Sequence, residues 1–263
     1  MRGLGVATIA IALAGGGCGS RSDGQAMNDL GPCGFAIVAS VPAEGAADVP
    51  IDSTLEVFFN TFPDPDSVAE ANAITLALGS NTMNVDFTAS VDLVDRAIRM
   101  RPGRALEGGA DYVVGISGGV SALCGGHLAD PPATIRFTTR AALTDGGVSD
   151  GEPVRDGPRP TFAAEVGPAL DASCTFSGCH DPVVRSGGLD LTAGAGFTNL
   201  VGVAATGSPL LRRVAPGSPA RSYLLRKLVG TPDIHGGSMP LGGVYDAKFA
   251  RLISDWIAAG APR

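Results

Sequence analysis

At 263 residues the chain exceeds one typical domain and can bury at least one sizeable core. Its formal net charge is −7, from 26 acidic and 19 basic side chains, and it carries no basic stripe. That balance excludes a nucleic-acid binder, while abundant Gly (38) and Pro (19) with few aromatics favour loop-rich, β-rich architecture over long helices.

The chain opens with Arg2, an apolar run from Val6 to Ala14, and then Gly15-Gly16-Gly17-Cys18. A charged start, a short apolar stretch and small residues before a cut site describe a secretory signal over 1–17. The run is too short to span a bilayer, which takes roughly 20 apolar residues. Cys18 after small residues resembles the lipobox of bacterial lipoproteins. The resemblance implies that Cys18 is lipidated and that 18–33 is its tether, with the protein exported to the cell envelope and lipid-anchored to the outer membrane.

From 34 to 140 apolar and polar residues alternate in short runs: Phe35–Val38, Ser53–Phe59, Ala73–Leu78, Ala97–Met100, Tyr112–Ile116 and Ala133–Thr139. Period-two runs separated by Gly, Pro and Asp turns predict an antiparallel β-sandwich uninterrupted by helices. Charge separates this body from the rest. Residues 34–140 hold 13 acidic and 6 basic side chains, net −7, and residues 158–263 hold 7 and 10, net +3. The stretch 141–157 holds 4 and 1, net −3. Two bodies of opposite sign and an acidic spacer suggest two domains with different partners.

The punctuation of the first body is more specific than its periodicity. Pro42, Gly45, Asp48 and Pro50 precede a strand ending in Phe59, and Asp64-Pro65 with Val68 follows. Then come Pro102 with Leu106, Gly109 with Tyr112, Gly125 with Leu128, and a closing Phe137-Thr138-Thr139. In this order the segment resembles the bacterial Ig-like domain first described in surface-layer proteins, which implies a spacer or adhesion module without catalysis. Cys33 and Cys124 lie at its two ends, and in an oxidising compartment such a pair is expected to form a disulfide. His127, alone in the same loop, reads as solvated.

Residues 141–160 are dominated by Gly, Pro and Asp without periodicity and read as a linker. A short helical pattern from Phe162 to Leu170 then runs into Cys174-Thr-Phe-Ser-Gly-Cys179-His180. This loop extends the haem c attachment signature, two cysteines followed by histidine, from two intervening residues to four. Two thiols can add to the two haem vinyl groups, and the adjacent imidazole can reach the iron. Of the methionines beyond the signal, only Met239 falls in this half of the chain. It stands in a Gly-rich loop, 59 residues after His180. His235 is the rival for the same role. A Cys174–Cys179 disulfide without cofactor remains open, as does a zinc site using Cys174, Cys179, His180 and His235. Arg212, Arg213, Tyr223 and Arg226 read equally as propionate ligands and as solvated or structural residues. Near the end, Phe249, Leu252, Ile253, Trp256 and Ile257 share one helical face, with Gly260 as a stop signal.

Several stretches in order make residues 161–263 similar to the cytochrome-c-like domain of planctomycete and myxobacterial exported proteins. They are Cys174–His180, Gly187–Leu191, Pro216–Lys227, Ser238–Pro240 and Asp255–Ala261. The resemblance implies a small, mainly α domain with one covalent haem c. It assigns Cys174 and Cys179 as thioether anchors, His180 as proximal and Met239 as distal iron ligand. The first and last helices would cross beside the haem, with Phe162 and Val166 meeting Ile253 and Trp256. The expected fold class is thus an all-β Ig-like sandwich followed by a small mainly α cytochrome-c-like domain. The expected role is electron transfer with a redox partner protein. The alternative is a cell-surface binding lipoprotein whose cytochrome-like fold takes no haem. No acid–base constellation points to an enzyme.

Overall fold

The computed structural model describes residues 33–79, 83–129, 131–141 and 159–263. The expected signal segment, Cys18 with nearly all of its tether, and most of the spacer lie outside the described residues.

The first unit is a two-sheet sandwich. One sheet has the order β1 (Ile37–Val41), β3 (Leu55–Phe59), β7 (Ala97–Pro102), β6 (Phe87–Asp92). The other has the order β2 (Ala46–Val49), β9 (Ala133–Thr139), β8 (Asp111–Ile116), β4 (Ile74–Leu78), β5 (Met83–Asn84). Every pairing is antiparallel except β2 with β9, so the fold is not purely antiparallel as the alternation alone predicts. Alternation does set which side chains enter the core. Leu55, Val57 and Phe59 point inward from β3, Tyr112, Val114 and Ile116 from β8, and Ile135 and Phe137 from β9. Phe35 stacks on Phe59 with ring centroids 4.7 Å apart, and Tyr112 on Phe137 at 5.5 Å.

Three strands, β2, β5 and β6, have no counterpart in the sequence reading. β6 is the informative miss, because Thr88–Ser90 face solvent on even and odd positions alike between a half-buried Phe87 that packs on the core and the buried Val91 and Asp92. One helical turn, α1 (Pro65–Val68), also interrupts the strands, contrary to expectation. Pro65 fixes its first helical position, and the Asp64 side chain accepts from the Asp66 N–H at 3.0 Å. Cys33 and Cys124 are disulfide-bonded, with Cα atoms 5.9 Å apart. A Cβ at Gly126 would run into the Cys33 carbonyl oxygen, so glycine is required where the bridge passes that loop.

The second unit is helical with one small hairpin. A π-helical turn over Phe162–Val166 leads into α2 (Gly167–Cys174). Val166 N–H donates to the Thr161 carbonyl and Gly167 N–H to that of Phe162, each five residues back, which widens the turn ahead of Pro168. Thr161 caps it: its Oγ1 accepts from Ala164 N–H at 3.2 Å, while Glu165 accepts from Thr161 N–H at 2.8 Å. Then follow α3 (Gly196–Leu200), the hairpin of β10 (Ala204–Ala205) and β11 (Ser208–Arg212), α4 (Tyr223–Val229) and α5 (Ala247–Ala258). The hairpin is an addition to the mainly α expectation. α5 buries Ile253, Trp256 and Ile257 on the face that its periodicity marks. Phe162 meets Trp256 with centroids 5.8 Å apart, so the first and last helices of this unit are in contact.

Candidate functional site

The C-terminus of α2 delivers Cys174, and the next six residues fold back on it. His180 N–H donates to the Cys174 carbonyl at 3.1 Å, and Cys179 N–H to that of Phe176 at 2.9 Å. Asp181 organises the turn that follows, with Oδ2 accepting from Gly178 N–H at 2.9 Å and Oδ1 from Val183 and Val184 N–H at 2.7 and 2.8 Å. Those bonds, led by the one from Val184, hold its carboxyl below the usual range. The Gly187-Gly188-Leu-Asp-Leu191 stretch then has a physical reading. Both glycines sit in the left-handed region, at φ 66° and 68°. The chain so reversed lets Leu191 N–H donate to the His180 carbonyl at 2.9 Å while the Leu191 side chain enters the core.

Cys174 carries a free, half-buried thiol whose pKa burial pushes up to about 11. Cys179 is disulfide-bonded, but not to Cys174. The His180 ring is half-buried, and its Nδ1 is shut off from solvent with no hydrogen-bond partner in bonding geometry. Burial, the largest influence, pushes its pKa down against the nearby backbone of Ser186 and Leu189, and the charges of Lys227 and Arg213 push the same way. A neutral imidazole is the form that ligates a metal.

Lys227 on α4 fixes the loop that carries the methionine. Its Nζ donates to the His235 carbonyl at 3.0 Å and, more closely, to that of Gly237, while Met239 N–H donates to its own carbonyl at 2.8 Å. The half-buried Met239 is thus pinned to α4. Burial lowers the Lys227 pKa. His235 is exposed, and its N–H donates to Tyr223 Oη at 2.9 Å. Its Cβ is packed so near Gly207 that a side chain there would meet it at 3.2 Å. Arg226 is buried in an ion pair with Asp233, Arg213 donates to the Asn199 carbonyl at 2.8 Å, and Arg212 to that of Gly202. These partners give Arg212, Arg213, Tyr223 and Arg226 structural roles.

Among the described residues no three His, Cys, Asp or Glu side chains converge to hold a metal ion, which removes support from the zinc alternative. His127 is exposed. No helix among the described residues is long and apolar enough to cross a membrane. Lys227 and Asp181 escaped the sequence reading. Asp181 directly after His180 was the available signal, since Asp so placed readily caps a turn. Lys227 carried none, because its two loop bonds exist only once α4 and the 235–239 loop are packed.

The two-sheet topology defines the first unit as an immunoglobulin-like sandwich. Residues 34–139 match the bacterial Ig-like domain family and form such a domain. Solved structures share the likeness over the same segment. The N-terminal part of the bacterial S-layer protein SbsC is 16% identical, with a TM-score of 0.32, over 41% of this chain and 24% of that one. CopC from Methylosinus trichosporium OB3b is 15% identical with a TM-score of 0.33, over 41% and 96% of the two chains. PcoC, a methionine-rich copper resistance protein from Escherichia coli, is 15% identical with a TM-score of 0.32, over 41% and 100%. The chain thus spans about a quarter of the S-layer fragment. No curated protein matches it.

Proposed function

We propose that this is an exported lipoprotein that carries one covalent haem c in residues 161–263 and acts in electron transfer, with the Ig-like domain presenting it away from an outer-membrane anchor at Cys18. The observation that supports this reading is the His180 Nδ1, shut off from solvent without a hydrogen-bond partner directly after Cys179. Met239, in the same unit, is held to α4 by its N–H on the Lys227 carbonyl. The donor set fits the group in part: a half-buried imidazole with an unpartnered nitrogen, a free thiol at Cys174 and one soft sulfur ligand, while Cys179 is disulfide-bonded and would have to be released to form the second thioether. When bound, haem supplies a one-electron couple. The chain's own contribution is to keep His180 neutral, to hold Cys174 and Cys179 at the two ends of one short loop, and to offer Met239 from a loop fixed to α4. Met ligation closes the iron to substrates, so electron transfer suits the residues better than catalysis.

A pyridine-haemochrome spectrum of the protein exported alongside a cytochrome maturation system tests the reading, with one covalent haem per chain expected. Met239→Ala is expected to keep the haem but lose the weak sulfur-to-iron band at the red end of the visible spectrum. A band that survives Met239→Ala and disappears in His235→Ala overturns the ligand assignment. A chain that never acquires covalent haem leaves the cell-surface binding module. Cys18→Ser is expected to release the protein to the soluble periplasm, and continued membrane fractionation of that variant refutes the anchor.

A further inference from the structure

The densest charge cluster among the described residues lies between the two units, outside the cysteine–histidine loop. Asp92 ends β6 and caps its own turn, accepting from Val94 N–H at 2.8 Å and Asp95 N–H at 3.2 Å. Its carboxylate, only 6% exposed, is paired with Arg99 of the same domain. Its second cation comes from the other unit: Arg251 of α5 reaches Asp92 at 2.6 Å and Asp95 at 2.7 Å. Arg99 also holds Asp95 and Glu56, each at 2.6 Å. Three carboxylates therefore share two guanidiniums, one from each side.

An isolated surface ion pair is worth little, but a shared network around a buried carboxylate is a different case. Removing one cation leaves Asp92 buried beside two other carboxylates with Arg99 alone to balance all three. The contact also continues beyond the cluster. Arg221 bonds Asp66 at 2.6 Å, an exposed pair of small weight. Pro65, Val68 and Val91 of the sandwich face Gly217 to Ala220 across a narrow crevice, and the buried apolar residues of both units form one continuous cluster.

We infer that the Ig-like domain is a docking partner for the α5 face of the second unit, clasped through Arg251 to Asp92 and Asp95, rather than a spacer on a free tether. The clasp also sits at the far end of the Met239 segment. Tyr245, next to the α5 cap Asp246, lies in the field of Arg251, Asp95, Arg96 and Asp92. The docking itself does not depend on haem.

Calorimetry and small-angle X-ray scattering of the full exported chain test this without reference to cofactor. The wild type is expected to unfold in one transition and to scatter as a compact particle. Arg251→Glu, and separately Asp95→Lys on the Ig side, are expected to split the transition in two and to lengthen the particle. Combining Arg251→Glu with Asp95→Lys is expected to recover part of the coupling. Two transitions in the wild type, or an unchanged single transition and profile in both single variants, overturns the proposal. Loss of folding in Arg251→Glu alone is decided by Asp95→Lys, which lies outside the helical unit. A haem-free preparation giving the expected result retains the clasp while refuting the electron-transfer reading.

Discussion

Trp256→Ala is the perturbation whose cost the structure fixes best. Trp256 is fully buried on α5, tilted against Phe162, and its Nε1–H donates to the Pro262 carbonyl at 2.8 Å. Truncating a buried aromatic to alanine costs about 3–5 kcal/mol including the cavity. The lost ring pair adds about 0.5–1.5 kcal/mol. The lost hydrogen bond adds little, because the Pro262 carbonyl keeps a second donor, Phe162 N–H at 2.9 Å, so no acceptor is stranded. The total is about 5 kcal/mol, comparable to the whole stability of a small domain. Trp256→Phe keeps the ring contact and is expected to cost about 1–2 kcal/mol by loss of volume and the indole donor. Urea unfolding followed by circular dichroism measures both, since the substitution removes the only tryptophan and with it the fluorescent reporter. A cost below about 2 kcal/mol for Trp256→Ala would mean that the contact between the first and last helices is not the core of this unit.

Acid should loosen the clasp. Burial works against ionisation of Asp92, but the Arg251 hydrogen bond and the charges of Arg99 and Arg251 outweigh it and hold its pKa below the usual carboxylate range. A depressed pKa stabilises the fold above the unfolded value, roughly 3.9 for aspartate, and that stability is lost as pH falls through the folded pKa. The drop in urea midpoint between pH 7 and pH 3 is therefore expected to shrink in Asp92→Asn, and an unchanged drop refutes the assignment. Gly126→Ala, whose new methyl would meet the Cys33 carbonyl, is expected to cost about 3 kcal/mol as an overpacking change. A neutral result in thermal unfolding would show that the loop can move aside. Reducing the Cys33–Cys124 bridge, which closes 91 residues, is expected to cost about 4 kcal/mol on loop-entropy grounds, read as the shift in urea midpoint of Cys33→Ser/Cys124→Ser.

Sequence patterns determined whatever depends on local period and punctuation. The strands of β3, β4, β7, β8 and β9 and the helix α5 were legible because one buried face imposes period two or 3.6 on the residues that form it. The cysteine–histidine loop and Met239 stand out in the sequence by residue type and order, and their proposed chemistry awaits the haem test. β6 was not legible, because it meets the core only at its two ends and exposes Thr88–Ser90 between them, and α1 was not, because one turn has too little length for a period. Tertiary structure alone decided the rest. Lys227 holds two carbonyls of one loop because α4 and the 235–239 segment happen to pack, and the sequence separation of 8 and 10 residues carries no trace of that. Arg251 and Asp92 are 159 residues apart and lie in units that composition and charge separate. The opposite net charges that suggested two independent domains are, at this one face, the charges that join them, because Coulomb attraction acts between positions in space and is indifferent to the chain between them.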